Sequence, residues 1–220
     1  MVVLLSQRRP IAQFRDLARD KRGLALVEFA LSLPLLMLIG VTGAEYANWI
    51  ITKMRVSQIA LQIADNASRM GDGSSAGAKS VSETDINETF TGGNLQSSNL
   101  SLSAQGRVIL SDLEPTDTSD TPTKFKIQWQ RCFGAQKYTS SYGVQGATNL
   151  AGIGPSGSQV TAQPRNATMF VEVYYAYKPL FWASIAPSKG FQEIASMAVR
   201  DQRTLSVMPS NAENATASSC

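Results

Sequence analysis

Between Leu24 and Ala44 the chain reads LALVEFALSLPLLMLIGVTGA, 21 residues in which Glu28 is the only charge. Wound as an α-helix, such a run is about 31 Å long, close to the hydrocarbon thickness of a bilayer. It is therefore read as a membrane span. Before it stand Arg8, Arg9, Arg15, Arg19, Lys21 and Arg22 against only Asp16 and Asp20, and no basic residue follows until Lys53. That bias predicts an N-terminus in the cytoplasm and the bulk of the chain outside. A nucleic-acid reading of the basic head is weaker, because the head is short, has little aromatic interleaving and stops where the apolar run begins. A cleavable secretory signal is the rival account, with Thr42-Gly43-Ala44 as its small-residue site. Against it stand the long basic region, the carboxylate inside the run, and an apolar stretch longer than the usual 7 to 15 or so residues.

Composition narrows the chemistry. The chain of 220 residues holds no His and only Cys132 and Cys220. That excludes Ser-His-Asp and Cys-His nucleophile pairs, His-ligated metal, and sites built from four thiolates. The expectation is a non-enzymatic chain with no cofactor and no metal. The segment Gly146 to Gly157 is glycine-rich but lacks the Lys-Ser/Thr that completes a phosphate loop.

Glu28 is the least expected residue of the run. A carboxylate inside a span costs a few kcal/mol on insertion scales unless it snorkels, protonates or meets a cation. One reading has it reaching the cytoplasmic headgroups about 6 Å past Leu24. The other uses Arg22-Gly23-Leu24: cutting the Gly23–Leu24 bond leaves a new α-ammonium four residues from Glu28, able to neutralise the Glu28 of a neighbouring subunit.

The stretch Arg22-Gly23-Leu24-Ala25-Leu26-Val27-Glu28-Phe29-Ala30-Leu31, then Leu33-Pro34-Leu35-Leu36, then Glu45-Tyr46, resembles the TadE-like signature of tight-adherence (Tad) pilus pseudopilins. The resemblance covers about residues 22 to 65. It implies a pilin-like fold and processing after Gly23 by a prepilin peptidase on the cytoplasmic side, with Leu24 as the mature N-terminus. Glu28, with Phe29 beside it, would be the assembly carboxylate. The implied partners are other pilus subunits, the inner-membrane assembly platform, the peptidase and the bilayer, with no nucleic acid and no small-molecule substrate. Because major Tad pilins are much shorter, the resemblance implies a minor or accessory component of a type IVb-like adherence pilus, single-pass in the bacterial inner membrane with its C-terminal domain periplasmic. The alternative is a membrane-anchored extracytoplasmic binding module that never enters a filament.

Pro34 cannot donate to the carbonyl of Ala30, which predicts a bend or a substitute donor such as Ser32. Gly40 and Gly43, three apart, lack the four-residue spacing of a close-packing motif. Beyond the span, Val56, Ile59, Ile63, Ala67 and Met70 recur at three- and four-residue spacing, and Gly71 offers a stop. The whole is predicted as one helix of about 45 residues, roughly 70 Å long, with its upper half packed on a sheet.

Five segments follow: a basic leader over 1–23, the transmembrane and extended helix over 24–70, a flexible joint over 71–80, an extracytoplasmic α+β domain over 81–208 and a disordered tail over 209–220. In the domain, Lys124 to Gln130 alternates strictly and Met169 to Tyr177 nearly so; Phe191 to Val199, Leu100 to Ala104 and Arg107 to Leu110 are weaker strands. The fold class is α+β, a long N-terminal helix on a small, mainly antiparallel sheet. The Gly- and Ser-rich stretch Tyr138 to Gln163 reads as an exposed loop that contacts partners. Asp112, Glu114, Asp117 and Asp120 read as a solvated acidic loop, at most a weak calcium contact. Tyr174, Tyr175, Tyr177, Phe181 and Trp182 read as strand and turn packing rather than a sugar-stacking platform.

Outside the cytoplasm Cys132 and Cys220 can oxidise to a disulfide; a buried Cys132 with a free or intermolecular Cys220 is the other arrangement left open. Asn66, Asn87, Asn99, Asn166 and Asn214 each begin an Asn-x-Ser/Thr triplet, where composition alone gives about one or two by chance. That excess is the basis of a further alternative, a eukaryotic signal-anchored glycoprotein.

Overall fold

The structure, a computed structural model, describes residues 23–73 and 77–220; the basic leader expected over 1–23 lies outside them except for Gly23. Helix α1 runs without interruption from Leu24 to Arg69, 46 residues, through Pro34. Ser32, two residues before that proline, gives its hydroxyl to the Phe29 carbonyl at 3.1 Å. The apolar half and the amphipathic half of the sequence are thus one rod, because nothing between them interrupts helical periodicity.

The two halves meet different surroundings. Large apolar side chains from Leu24 to Ile39 are exposed, whereas Val56, Ile59, Ala60, Ile63, Ala64 and Ala67 are buried. The upper stripe packs on a four-stranded antiparallel sheet of β1 (Gly106–Pro115), β2 (Phe125–Phe133), β3 (Thr168–Ala176) and β4 (Gly190–Ala198), in the order β2-β1-β3-β4. Val108, Leu110, Trp129, Met169, Val171 and Val173 carry the sheet's side of this core. The fold is therefore α+β, a long helix laid on a small antiparallel sheet. Phe125, Ile127 and Trp129 lie within β2, but they do not share one face, because a register shift opposite Asp112 and Leu113 turns Trp129 to the α1 side and Phe125 and Ile127 to the other.

Helix α1 ends where Met70 turns extended and Gly71 takes φ +110°. A Cβ at Gly71 would come within 2.8 Å of the Ser80 carbonyl oxygen, so glycine fits on both counts. The Arg203 guanidinium donates to the carbonyls of Met70 at 2.7 Å and Ala67 at 3.3 Å, a cation on the negative end of the helix dipole.

Several expectations are corrected. Leu100 to Ala104 is not a strand: a 3-10 turn at Ser98–Leu100 leads into one helical turn, α3 (Leu102–Gln105), because Ser101 adopts φ 50° and breaks extension. An unforeseen helix, α2 (Glu83–Gln96), precedes it and packs on α1. The Ser82 hydroxyl accepts the Asp85 amide while the Asp85 carboxylate accepts the Ser82 amide, a reciprocal cap. Glycine at position 93 sets the approach, since a Cβ there would lie 2.7 Å from the Ile63 side chain.

The acidic segment divides. Asp112 and Glu114 belong to β1 and are buried, while Asp117 and Asp120 lie exposed beyond it. Glu114 is tolerated because it accepts the Ser206 amide at 2.9 Å and pairs with Lys126 at 3.3 Å. Asp112 faces the helix side beside Arg203, and burial together with the neighbouring Glu114 pushes its carboxyl well above the ordinary range.

The stretch from Tyr138 to Gln163 is not simply an exposed loop. Its backbone pairs with the free edge of β2, Ile127 donating to Ala147 and Phe125 to Leu150, each at 2.9 Å. Ile153 and Ala162 are buried against Leu113, Phe125, Ile127 and Phe170. It forms a covering layer because the sheet face away from α1 is also apolar.

Around the joint, Asp72 and Ser80 exchange both backbone hydrogen bonds at 3.0 Å; residues 74–76 lie outside the described residues. The tail expected to be disordered instead lies on the domain: Cys132 donates its amide to the Ser218 carbonyl at 2.7 Å, and Asn87 donates to Thr216 at 2.9 Å. The physical reason is covalent and polar together, since Cys132 and Cys220 are joined as a disulfide.

Candidate functional site

Gly23 is the N-cap of α1, with φ −91° and ψ −8°, and contributes no side chain to the cap. Its carbonyl accepts the Val27 amide at 3.1 Å, so helical bonding starts at the residue before Leu24. Leu24 is the first helical residue and Glu28 lies four positions on, one turn up the same face. Leu24 and Phe29 are exposed at 53 % and 59 %. This end of the rod thus presents an apolar sleeve carrying one carboxylate.

At the other end of the sleeve lies a site to which sequence reasoning gave no structural role. Glu45, the first residue after the apolar run, is fully buried. Its carboxylate accepts the Tyr177 hydroxyl at 2.6 Å, the Phe181 amide at 3.0 Å and the Leu180 amide at 3.0 Å. Asn48, three residues along the helix, donates to the Tyr177 oxygen at 2.8 Å. A turn further, Lys53 pairs with Glu193 of β4 at 3.5 Å, and Trp49 meets Phe191 edge to face at 5.8 Å. These contacts clamp the turn after β3 and the start of β4 onto α1 where its buried half begins. The available signal was an acid placed immediately after a long apolar run and followed by an aromatic residue.

The aromatic group expected to be packing is divided. Tyr175 is buried and donates to the Leu100 carbonyl at 2.9 Å, Tyr177 holds Glu45, and Tyr174 stacks on Tyr138 with ring centres 4.7 Å apart. Phe181 and Trp182 instead stay 44 % and 62 % exposed.

Away from the helix, Cys132 and Cys220 close the chain on itself, and the Arg107 guanidinium donates to Gly134 at 3.0 Å beside them. The Arg131 Nε donates to both Glu83 carboxylate oxygens at 2.9 and 3.0 Å, tying β2 to the first turn of α2. Among the described residues no three His, Cys, Asp or Glu side chains converge on a point where they would hold a metal ion. Asn87 and Asn166 have their amide groups engaged, Asn87 with Thr216 and Ser218 of the tail and Asn166 with the Val199 carbonyl. A glycan on either would attach to a nitrogen that already donates one of these bonds.

The site is therefore a helix with two functions along its length: a bare apolar half, long and apolar enough to cross a membrane, and a half that carries a folded domain. No curated protein and no solved structure matches the chain. The family model described as TadE-like protein matches residues 23–71, from the N-cap of α1 to the glycine that ends it.

Proposed function

We propose that this chain is a minor or accessory pseudopilin of a Tad-type, type IVb-like adherence pilus, anchored by α1 in the bacterial inner membrane with its domain in the periplasm. The observation that carries the reading is the coincidence of the TadE-like match with α1 from end to end. On this reading a prepilin peptidase cuts after Gly23, and Leu24 becomes the mature N-terminus at the foot of the helix. Glu28 then lies one turn from the new ammonium on the same face, and within a bundle of such helices it meets the ammonium of a neighbour in low dielectric. The basic residues before the helix support a cytoplasmic N-terminus. The domain contributes recognition rather than catalysis, a reading supported by a sequence without histidine. The partners are other pilus subunits and the assembly platform.

Intact mass and N-terminal sequencing of membrane fractions, with and without the peptidase, test the proposal. The expected mature chain begins at Leu24 only when the peptidase is present. A chain beginning at Met1 in both fractions would point to an anchored module outside the filament, and one beginning at Glu45 to ordinary secretion.

A further inference from the structure

The turn that Glu45 clamps leaves three consecutive large apolar side chains in the open: Leu180 at 60 %, Phe181 at 44 % and Trp182 at 62 % exposure. Burying even one of them within the domain would have been favourable, so their joint exposure needs a partner. Their height is fixed. The Leu180 and Phe181 amides are held to the Glu45 carboxylate at 3.0 Å each, and Glu45 is one residue, about 1.5 Å of helix rise, beyond the end of the apolar run. Tyr46, the next residue on α1, is 48 % exposed. The turn therefore lies at the level where the apolar sleeve stops.

We propose that Leu180-Phe181-Trp182 is a second membrane contact, seated in the interfacial layer of the same bilayer that α1 crosses, on the side of the domain. The inference rests on the spanning reading of α1, and continuity with that span selects lipid over a protein partner. Tryptophan and tyrosine rings favour the headgroup level, where an apolar body and a polar N–H or O–H are both satisfied. Lys178 and Lys189, both exposed at the two ends of the turn, suit lipid phosphates. Glu45 is a positioning residue: through two amides it holds the turn down beside the helix. A domain held at two points of one membrane has less freedom to tilt than one carried on a helix alone.

The test uses the full-length protein in liposomes of phosphatidylcholine and phosphatidylglycerol, with an environment-sensitive fluorophore on a single introduced thiol and the native disulfide intact. Three variants are compared: Trp182→Cys; Leu38→Cys within the span; and Val207→Cys, exposed next to Ser206, whose amide binds Glu114 at the far end of β1. Brominated lipid is expected to quench the labels at 182 and 38 and spare that at 207, while aqueous iodide quenches only the label at 207. Adding Glu45→Gln to the Trp182→Cys protein is expected to return its label partly to iodide. A label at 182 that iodide quenches and brominated lipid does not, with 38 still lipid-quenched, overturns the inference and leaves the span standing. Shielding of 182 from both quenchers, varying with protein density, assigns the surface to a neighbouring subunit and also overturns it. Failure of brominated lipid to quench 38 removes the spanning reading, and the inference with it.

Discussion

The Tyr177 hydroxyl donates to the Glu45 carboxylate at 2.6 Å across 132 residues of sequence, joining the head of the apolar sleeve to the end of β3. Burial alone would raise the Glu45 carboxyl, but the Tyr177 hydroxyl and the Phe181 and Leu180 amides more than compensate and hold it below its ordinary value. The same relationship acts in reverse on the phenol: burial first, then the bond to Glu45, push Tyr177 up to about 12. The charged, hydrogen-bonded form of Glu45 is thus the one the fold is built around.

Tyr177→Phe removes one of three donors and is expected to cost about 1–2 kcal/mol. Glu45→Ala leaves the hydroxyl and two amides without their acceptor and costs more, roughly 2–4 kcal/mol. Because the folded carboxyl titrates below its unfolded value, its contribution is complete above about pH 4.3 and is lost as pH falls through the lowered folded value. Thermal unfolding of the full-length protein in detergent between about pH 3 and 7 measures this. The acid limb of the wild type should be steeper than that of Glu45→Gln; parallel limbs would show that another group drives acid unfolding.

The Glu83–Arg131 pair makes a contrasting prediction. Both side chains are nearly excluded from water, at 4 % and 7 % exposure, and Arg131 also donates to the Gln130 carbonyl and the Gln145 side chain. Arg131→Met strands a buried carboxylate and is expected to destabilise by about 3–5 kcal/mol. Adding Glu83→Gln to it should recover part of that loss, since no uncompensated charge then remains. Denaturant midpoints of the two single variants and the double variant decide the matter, and strict additivity would mean that the two side chains act independently.

Reduction of the Cys132–Cys220 bond should release the tail. The bond closes a separation of 88 residues, for which chain entropy gives roughly 4–5 kcal/mol. Cys220→Ser is accordingly expected to lower the unfolding midpoint, and hydrogen exchange should accelerate from residue 210 onward, where the tail's own bonds to the domain are those to Val81, Glu83, Asn87, Arg107 and Cys132. Unchanged exchange there would mean that these polar contacts hold the tail without the covalent link.

How far the sequence revealed this arrangement depended on whether the deciding contacts were local. Helix α1 was legible because hydropathy and three-to-four-residue spacing are properties of neighbouring residues. The alternation of Phe125, Ile127 and Trp129 likewise marked strand β2, but not the bulge that turns Trp129 to the other face. Helix α2 escaped notice although Ser82 and Asp85 spell a capping box, because only Ile86 and Phe90 mark its buried apolar face. Asp112 and Glu114 read as solvated because the groups that accommodate them, Arg203, Lys126 and Ser206, lie farther along the chain. Glu45 stood in the quoted signature, yet its partners at Tyr177, Leu180 and Phe181 are more than 130 residues away. Polar burial is a tertiary property, and a single sequence carries little trace of it.

On the proposed pilus reading, Glu28 is the assembly counterpart to Glu45. It stands one turn above Leu24 on a rod whose neighbouring side chains, Val27 at 53 % and Leu31 at 75 %, are exposed. A lone carboxylate costs up to about 2.5–3.5 kcal/mol at the centre of a span and less near its end, a penalty that a nearby ammonium offsets. Glu28→Gln should therefore insert at least as well as the wild type, and Leu24 should still be its first residue after processing. Its recovery in sheared pili should fall sharply, because the neutral amide cannot pair with a neighbour's new terminus. Quantifying the protein in membrane and pilus fractions measures both steps. Equal recovery of Glu28→Gln and wild type in the pili would remove ammonium pairing as the assembly contact while leaving the spanning helix intact.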